Sequence, residues 1–117
     1  MDPMIIGQIV EKKPSTVTRY EGPWTARRGD RASYAIELIE QSNGGDFRFK
    51  VETKNSEDAD SAATNLTSDI TVGTTAGLVE TSATGAKEWV RYVIFTVNDG
   101  DAGFIAFRTL DPQWAEN

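Results

Sequence analysis

The chain contains no cysteine and no histidine. Without cysteine it can build no disulfide and no thiol nucleophile, and without histidine it cannot build a triad that uses imidazole as its base. The commonest zinc ligands are missing as well. No stretch reaches the roughly 18 consecutive apolar residues of a membrane helix, and neither a phosphate-binding glycine loop nor a nucleophile elbow is present. These absences remove much hydrolase, redox and nucleotide chemistry. They predict a protein that is not an enzyme, carries no cofactor or metal and does not enter a membrane. The opening Met1-Asp2-Pro3-Met4-Ile5-Ile6-Gly7-Gln8 lacks a basic n-region and an apolar h-region, which predicts no secretory signal and synthesis in the cytoplasm.

Basic charge is also scarce. Twelve basic against eighteen acidic residues give a net charge of −6, which argues against nucleic acid as a partner, because phosphate backbones reward clustered Lys and Arg. The charge is uneven. Residues 1–31 carry a net +2 and residues 32–117 a net −8, so a mildly basic N-terminal segment precedes an acidic body.

What is present reads as strand. Phe47–Lys54 alternates strictly, with Phe47, Phe49, Val51 and Thr53 on one side and Arg48, Lys50, Glu52 and Lys54 on the other. This pattern predicts one face on a core and one in water. Arg31–Glu40 places Ala32, Tyr34, Ile36 and Leu38 on one face. Lys87–Val97 is apolar on both sides, which predicts a central strand covered above and below. Met4–Val10, Thr16–Tyr20, Ile70–Val72, Leu78–Ser82 and Ala102–Leu110 complete the set. Asn43-Gly44 and Asn98-Asp99-Gly100-Asp101 have the chemistry of hairpin turns. Residues 55–69 read as a polar loop with one helical turn capped by Ser56, and residues 113–117 as a loosely held tail. At 117 residues the chain has the length of one domain, able to bury a core without a covalent staple. The predicted fold is all-β. It is a single-domain antiparallel β-sandwich, jelly-roll or immunoglobulin-like, of seven to eight short strands with an irregular arm over residues 11–31.

Several groups invite a functional reading. Trp24 with Arg27, Arg28 and Arg31 gathers three guanidiniums next to a loop aromatic, the residue types enriched at protein-binding hot spots; this is the candidate partner-binding site. Arg91, on an apolar strand, requires a carboxylate partner or an opening to solvent. Asn98–Asp101 and the Glu57, Asp58, Asp60 run offer oxygen ligands, but a hairpin turn and a solvated loop account for them. Arg28-Gly29-Asp30 matches an adhesion tripeptide and reads as a turn into the following strand. Asn65-Leu66-Thr67 fits a glycosylation sequon, without an export signal to make it meaningful. Trp24, Tyr34, Trp89, Tyr92 and Trp114 are candidates for a sugar-stacking platform. Trp89 and Tyr92 have opposite parity on one strand, which argues against a single flat surface.

Met4–Val10, the Gly22-Pro23-Trp24 to Arg28-Gly29-Asp30 segment, the Thr/Ala/Gly-rich strands from Thr64 to Gly85 and the Asp111-Pro112-Gln113-Trp114 ending share a texture. In size, charge and texture the chain resembles small acidic β-sandwich decoration (cement) proteins of tailed-phage capsids. The resemblance implies a virion protein, made in the host cytoplasm, that binds a lattice of major capsid protein, often as a trimer, and stabilises the shell. No motif carries it, and no residue role is transferred from it. The competing expectation is a carbohydrate-binding β-sandwich module.

Overall fold

The computed structural model describes residues 8–12, 18–41, 47–73, 75–96 and 103–115. Eleven strands, more than the seven to eight expected because several are only two or three residues long, run through the described residues in chain order: β1 Gln8–Lys12, β2 Arg19–Glu21, β3 Thr25–Ala26, β4 Arg31–Gln41, β5 Phe47–Lys54, β6 Thr64–Asn65, β7 Ile70–Thr71, β8 Gly77–Thr84, β9 Trp89–Thr96, β10 Gly103–Thr109 and β11 Gln113–Ala115. A single 3₁₀ turn, Asp60–Ala62, is the one helical element among the described residues.

The strands form two antiparallel sheets. In the first, β10 and β11 lie along one side of β4 and β8 along the other, with β1 outside β10. In the second, β2 and β3 flank β9, then comes β5, then β6 and β7. The inner faces meet in a core of Tyr34, Ile36 and Leu38 from β4, Phe47, Phe49 and Val51 from β5, Val90 and Ile94 from β9, and Ile105 and Phe107 from β10. The expected β-sandwich is therefore observed, and the alternating residues of β4 and β5 face inward as their period requires. β9 is central: Val93, on its outer side, is as fully buried as Ile94 on its inner side.

The turns behave differently from expectation. β4 and β5 lie in different sheets, and so do β9 and β10, so neither pair forms a hairpin. The Asn43-Gly44 and Asn98–Asp101 segments lie outside the described residues. Glycine-rich turn chemistry specifies that a chain reverses; the sheet it returns to is set by which face it must bury. Part of the 11–31 arm is regular, since β1 runs through Lys12 and β2 and β3 pair with β9 on either side of Gly22-Pro23-Trp24. The helical turn begins at Asp60 rather than after Ser56; Ser56 instead donates its N–H and hydroxyl to the Glu88 carboxylate.

The C-terminal segment is not loose. β11 pairs with the start of β4, and the Trp114 ring meets Tyr34 edge-on, 6.0 Å between centroids. Gly29 is needed here, because a Cβ at that position would sit 2.7 Å from the Ala115 carbonyl oxygen. Pro112 interrupts the strand between β10 and β11, which leaves a gap in the ladder opposite Ala35. Tyr92 fills it from the other sheet. Its hydroxyl accepts the Ala35 N–H at 2.8 Å and donates to the Leu110 carbonyl at 2.9 Å. Burial holds this phenol well above its ordinary pKa.

Candidate functional site

The outer face of the second sheet carries a charged cluster built by register. Glu52 of β5 stands directly opposite Arg91 of β9. Arg91 Nε and one terminal nitrogen donate to Glu52 Oε1 at 3.1 and 2.9 Å. Arg19, from the edge strand β2, donates to both Glu52 oxygens at 2.9 Å, and Lys50 Nζ lies 3.6 Å away. Glu21 closes the network, accepting from Arg19 at 2.7 Å and from Arg91 at 3.1 Å. Glu52 is only 6% exposed and Arg91 7%, so the face expected to be solvated is covered at this point. Burial pushes the Glu52 carboxyl up, but the hydrogen bonds and charges of Arg19 and Arg91 outweigh it, and the group is held below its ordinary value. The ion pair expected for Arg91 is thus found.

Trp24 roofs this cluster. Its ring lies 4.4 Å from the Arg91 guanidinium carbon and 5.0 Å from Lys54 Nζ, in the range of cation–π attraction. Its indole N–H donates to Asp60 Oδ1 at 3.2 Å, and Lys54 donates to the same oxygen at 2.8 Å. The hydrogen bond from Lys54 is the main reason the Asp60 carboxyl is held low. Arg19, Glu21, Glu52, Asp60, Ser61 and Arg91 line a depression of about 330 Å³, where each guanidinium already has a carboxylate partner. Trp24 and Trp89, with Lys54 and Ser56, line a second, shallow depression of about 270 Å³.

The four candidate binding residues do not form one patch. Trp24 is half-buried in the cluster just described. Arg27 holds the crossing from β3 to β4, donating to Gly29 O at 2.8 Å and Ala86 O at 2.9 Å. Arg28 and Arg31 are exposed, the first in the crossing loop and the second at the start of β4. Among the described arginines, these two guanidiniums alone have neither a hydrogen bond nor an ion pair, since Arg108 meets Glu37, Arg48 has a partner and the rest are accounted for above.

The lesser motifs resolve into structure. Asp58 accepts the Asn55 N–H in a tight turn at 3.1 Å, and Asp60 is taken by Lys54 and Trp24. Thr67 of the sequon is buried, its hydroxyl accepting the Val51 N–H where the edge strand breaks between β6 and β7. Of the proposed aromatic platform, Tyr34 and Tyr92 belong to the core and Trp114 packs on Tyr34, whereas Trp24 and Trp89 come together outside. Sequence reasoning missed Glu52, Arg19 and Lys54 as members of this site. One signal was available: Glu52 is the sole acid among the outward residues of β5, so any pairing of β5 with β9 nominates it for Arg91.

No protein-family model matches the chain, and no curated protein sequence matches it either.

Proposed function

We propose that this chain is a non-enzymatic structural protein, a decoration (cement) protein that binds and stabilises the outer surface of a tailed-phage capsid. The observation that carries the reading is the pair of free guanidiniums at Arg28 and Arg31, exposed on an acidic body whose other described arginines are engaged. Free arginines of this kind form bidentate pairs with carboxylates on a protein partner. A small two-sheet body whose buried charges, Glu52 and Arg91, are paired internally supports a part that adds rigidity to an assembly. In this reading the partner is a major capsid protein lattice, the chain is a homo-oligomer, and its location is the virion. Co-sedimentation with undecorated capsids tests it. Arg28→Ala with Arg31→Ala is expected to weaken capsid binding about tenfold or more while leaving the melting temperature unchanged. Arg27→Ala serves as the stability control, because its guanidinium holds Ala86 and Gly29. No binding by the wild type, or equal binding by the double variant, rejects the reading.

One observation favours a second reading, a carbohydrate-binding module: Trp24 and Trp89 line one open depression with the polar Lys54 and Ser56 at hand. Two indoles at one site suit stacking on a sugar ring. Here the expected result is retention on an insoluble polysaccharide, with quenched tryptophan fluorescence, that Trp89→Ala abolishes.

A further inference from the structure

We propose that β8 is a self-pairing edge, through which two copies of this chain join antiparallel across a two-fold axis into one continuous sheet. β8 pairs with β4 in unbroken register from Arg31↔Thr84 to Leu38↔Gly77, and among the described residues nothing pairs with its other side. The remaining edges among the described residues are shorter: β2 and β3 are separated by Pro23, β6 and β7 are two residues each and broken at Thr67, β11 has three residues and β1 five. β8 has eight residues with one charge, Glu80, and neither proline nor bulge, and its Leu78 is 59% exposed. Protected edges carry Lys, Pro or bulges; a long, regular, nearly uncharged edge is a template for another strand.

The backbone says which residues face outward. Ala35 spends its N–H on Tyr92 and its carbonyl on Leu110, so its polar groups point away from β8. By the alternation of an antiparallel ladder, Tyr34 and Ile36 bond to β8, and their partners Thr81 and Val79 bond back. Leu78, Glu80, Ser82 and Thr84 therefore present their N–H and C=O groups to the open side.

The side chains select a second copy and its register. Pairing centred on Thr81 sets Glu80 opposite the partner's Ser82 and Leu78 opposite the partner's Thr84, and it uses every outward N–H and C=O. Pairing centred on Glu80 would oppose two like charges, which is unfavourable. The Thr81-centred register also answers an unmet charge. Arg31 and Glu80 share the outer face of the sheet, and neither has an ion-pair partner within its own chain. In the pair, Arg31 of one copy and Glu80 of the other lie two strands across and two residues along, about 12 Å between Cα atoms, a span that an Arg and a Glu side chain close together.

In the pair Arg31 is taken up at the seam and Arg28 stays free for a capsid, so sedimentation of the full chain without capsids tests the pairing separately from the proposed function. The wild type is expected to be a concentration-dependent dimer. Ser82→Pro removes an outward N–H without touching the β4 ladder and is expected to give a monomer with an unchanged circular dichroism spectrum. Arg31→Glu and Glu80→Arg alone are each expected to weaken the dimer roughly tenfold, since each alters two symmetry-related contacts, and the double variant is expected to restore it. The charge swap decides the matter if Ser82→Pro does not fold. A wild type that stays monomeric, that captures an unlike extended strand instead, that forms trimers, or whose dimer ignores all these changes overturns the proposal.

Discussion

Replacing Glu52 with Gln is expected to destabilise the fold by about 3–5 kcal/mol, because it strands buried positive charge. Arg91, 7% exposed, would keep only Glu21 as an ion-pair partner, a carboxylate it would share with Arg19, and Lys50 would lose its counter-charge. Urea unfolding read by tryptophan fluorescence measures the loss. The same carboxylate sets the acid limit of the protein. Its folded pKa lies below the ordinary value of 4.5, so its stabilising contribution is complete above that value and is lost as the pH falls through the lowered folded one. The wild type is therefore expected to lose melting temperature steeply below pH 4.5, and Glu52→Gln to show a shallower acid slope from a lower starting point. Equal slopes would mean that other carboxylates govern acid unfolding.

Two buried tyrosines on facing sheets are expected to respond in opposite ways to loss of the hydroxyl. Tyr92→Phe leaves the Ala35 N–H and the Leu110 carbonyl without the group that bridges them, at a cost of about 1–3 kcal/mol. Tyr34 is 1% exposed and its hydroxyl has no hydrogen-bond partner among the described residues, so Tyr34→Phe removes a desolvated polar atom and is expected to be neutral or stabilising by up to about 1 kcal/mol. The rings meet edge-on at 6.2 Å, which makes the pair a controlled comparison: same chemistry, same core, opposite sign. Burial pushes the Tyr34 hydroxyl up to about 12. Its neutral form is thus compatible with the fold below its ordinary value of 10.0, and stability is lost as the pH rises through the folded value. Chemical unfolding of both variants checks the order; a Tyr92→Phe protein as stable as Tyr34→Phe would show that the ladder gap needs no bridge.

The strands that carry the core were legible because alternation is local. Ala32, Tyr34, Ile36 and Leu38 all face inward, and the bounds of Phe47–Lys54 are those of β5. Three things were not legible, each for a physical reason. Alternation assigns Glu52 to the outer face but does not reveal that Arg19 and Trp24, each roughly 30 residues away in sequence, fold over that face. Asn-Gly chemistry announces a reversal without saying whether the returning strand joins the same sheet or the facing one. The three residues of β11 are too few to show a period, and only the edge-on contact of Trp114 with Tyr34 explains why they are held. Of the four candidate binding residues, Trp24 and Arg27 hold the body together, while Arg28 and Arg31 face outward.

The interlaced path of the chain also bears on its biosynthesis. β1 waits for β10 and β2 waits for β9, so these two strands have no ladder partner until β9 and β10 have been made. β5 can pair with β6 and β7 over short loops, but the ladders of β1 and β2 require long loops to close, which is slow. Completion of the two sheets must then wait for synthesis of β10, and until that point β1 and β2 depend on their polar and charged residues to remain dispersed.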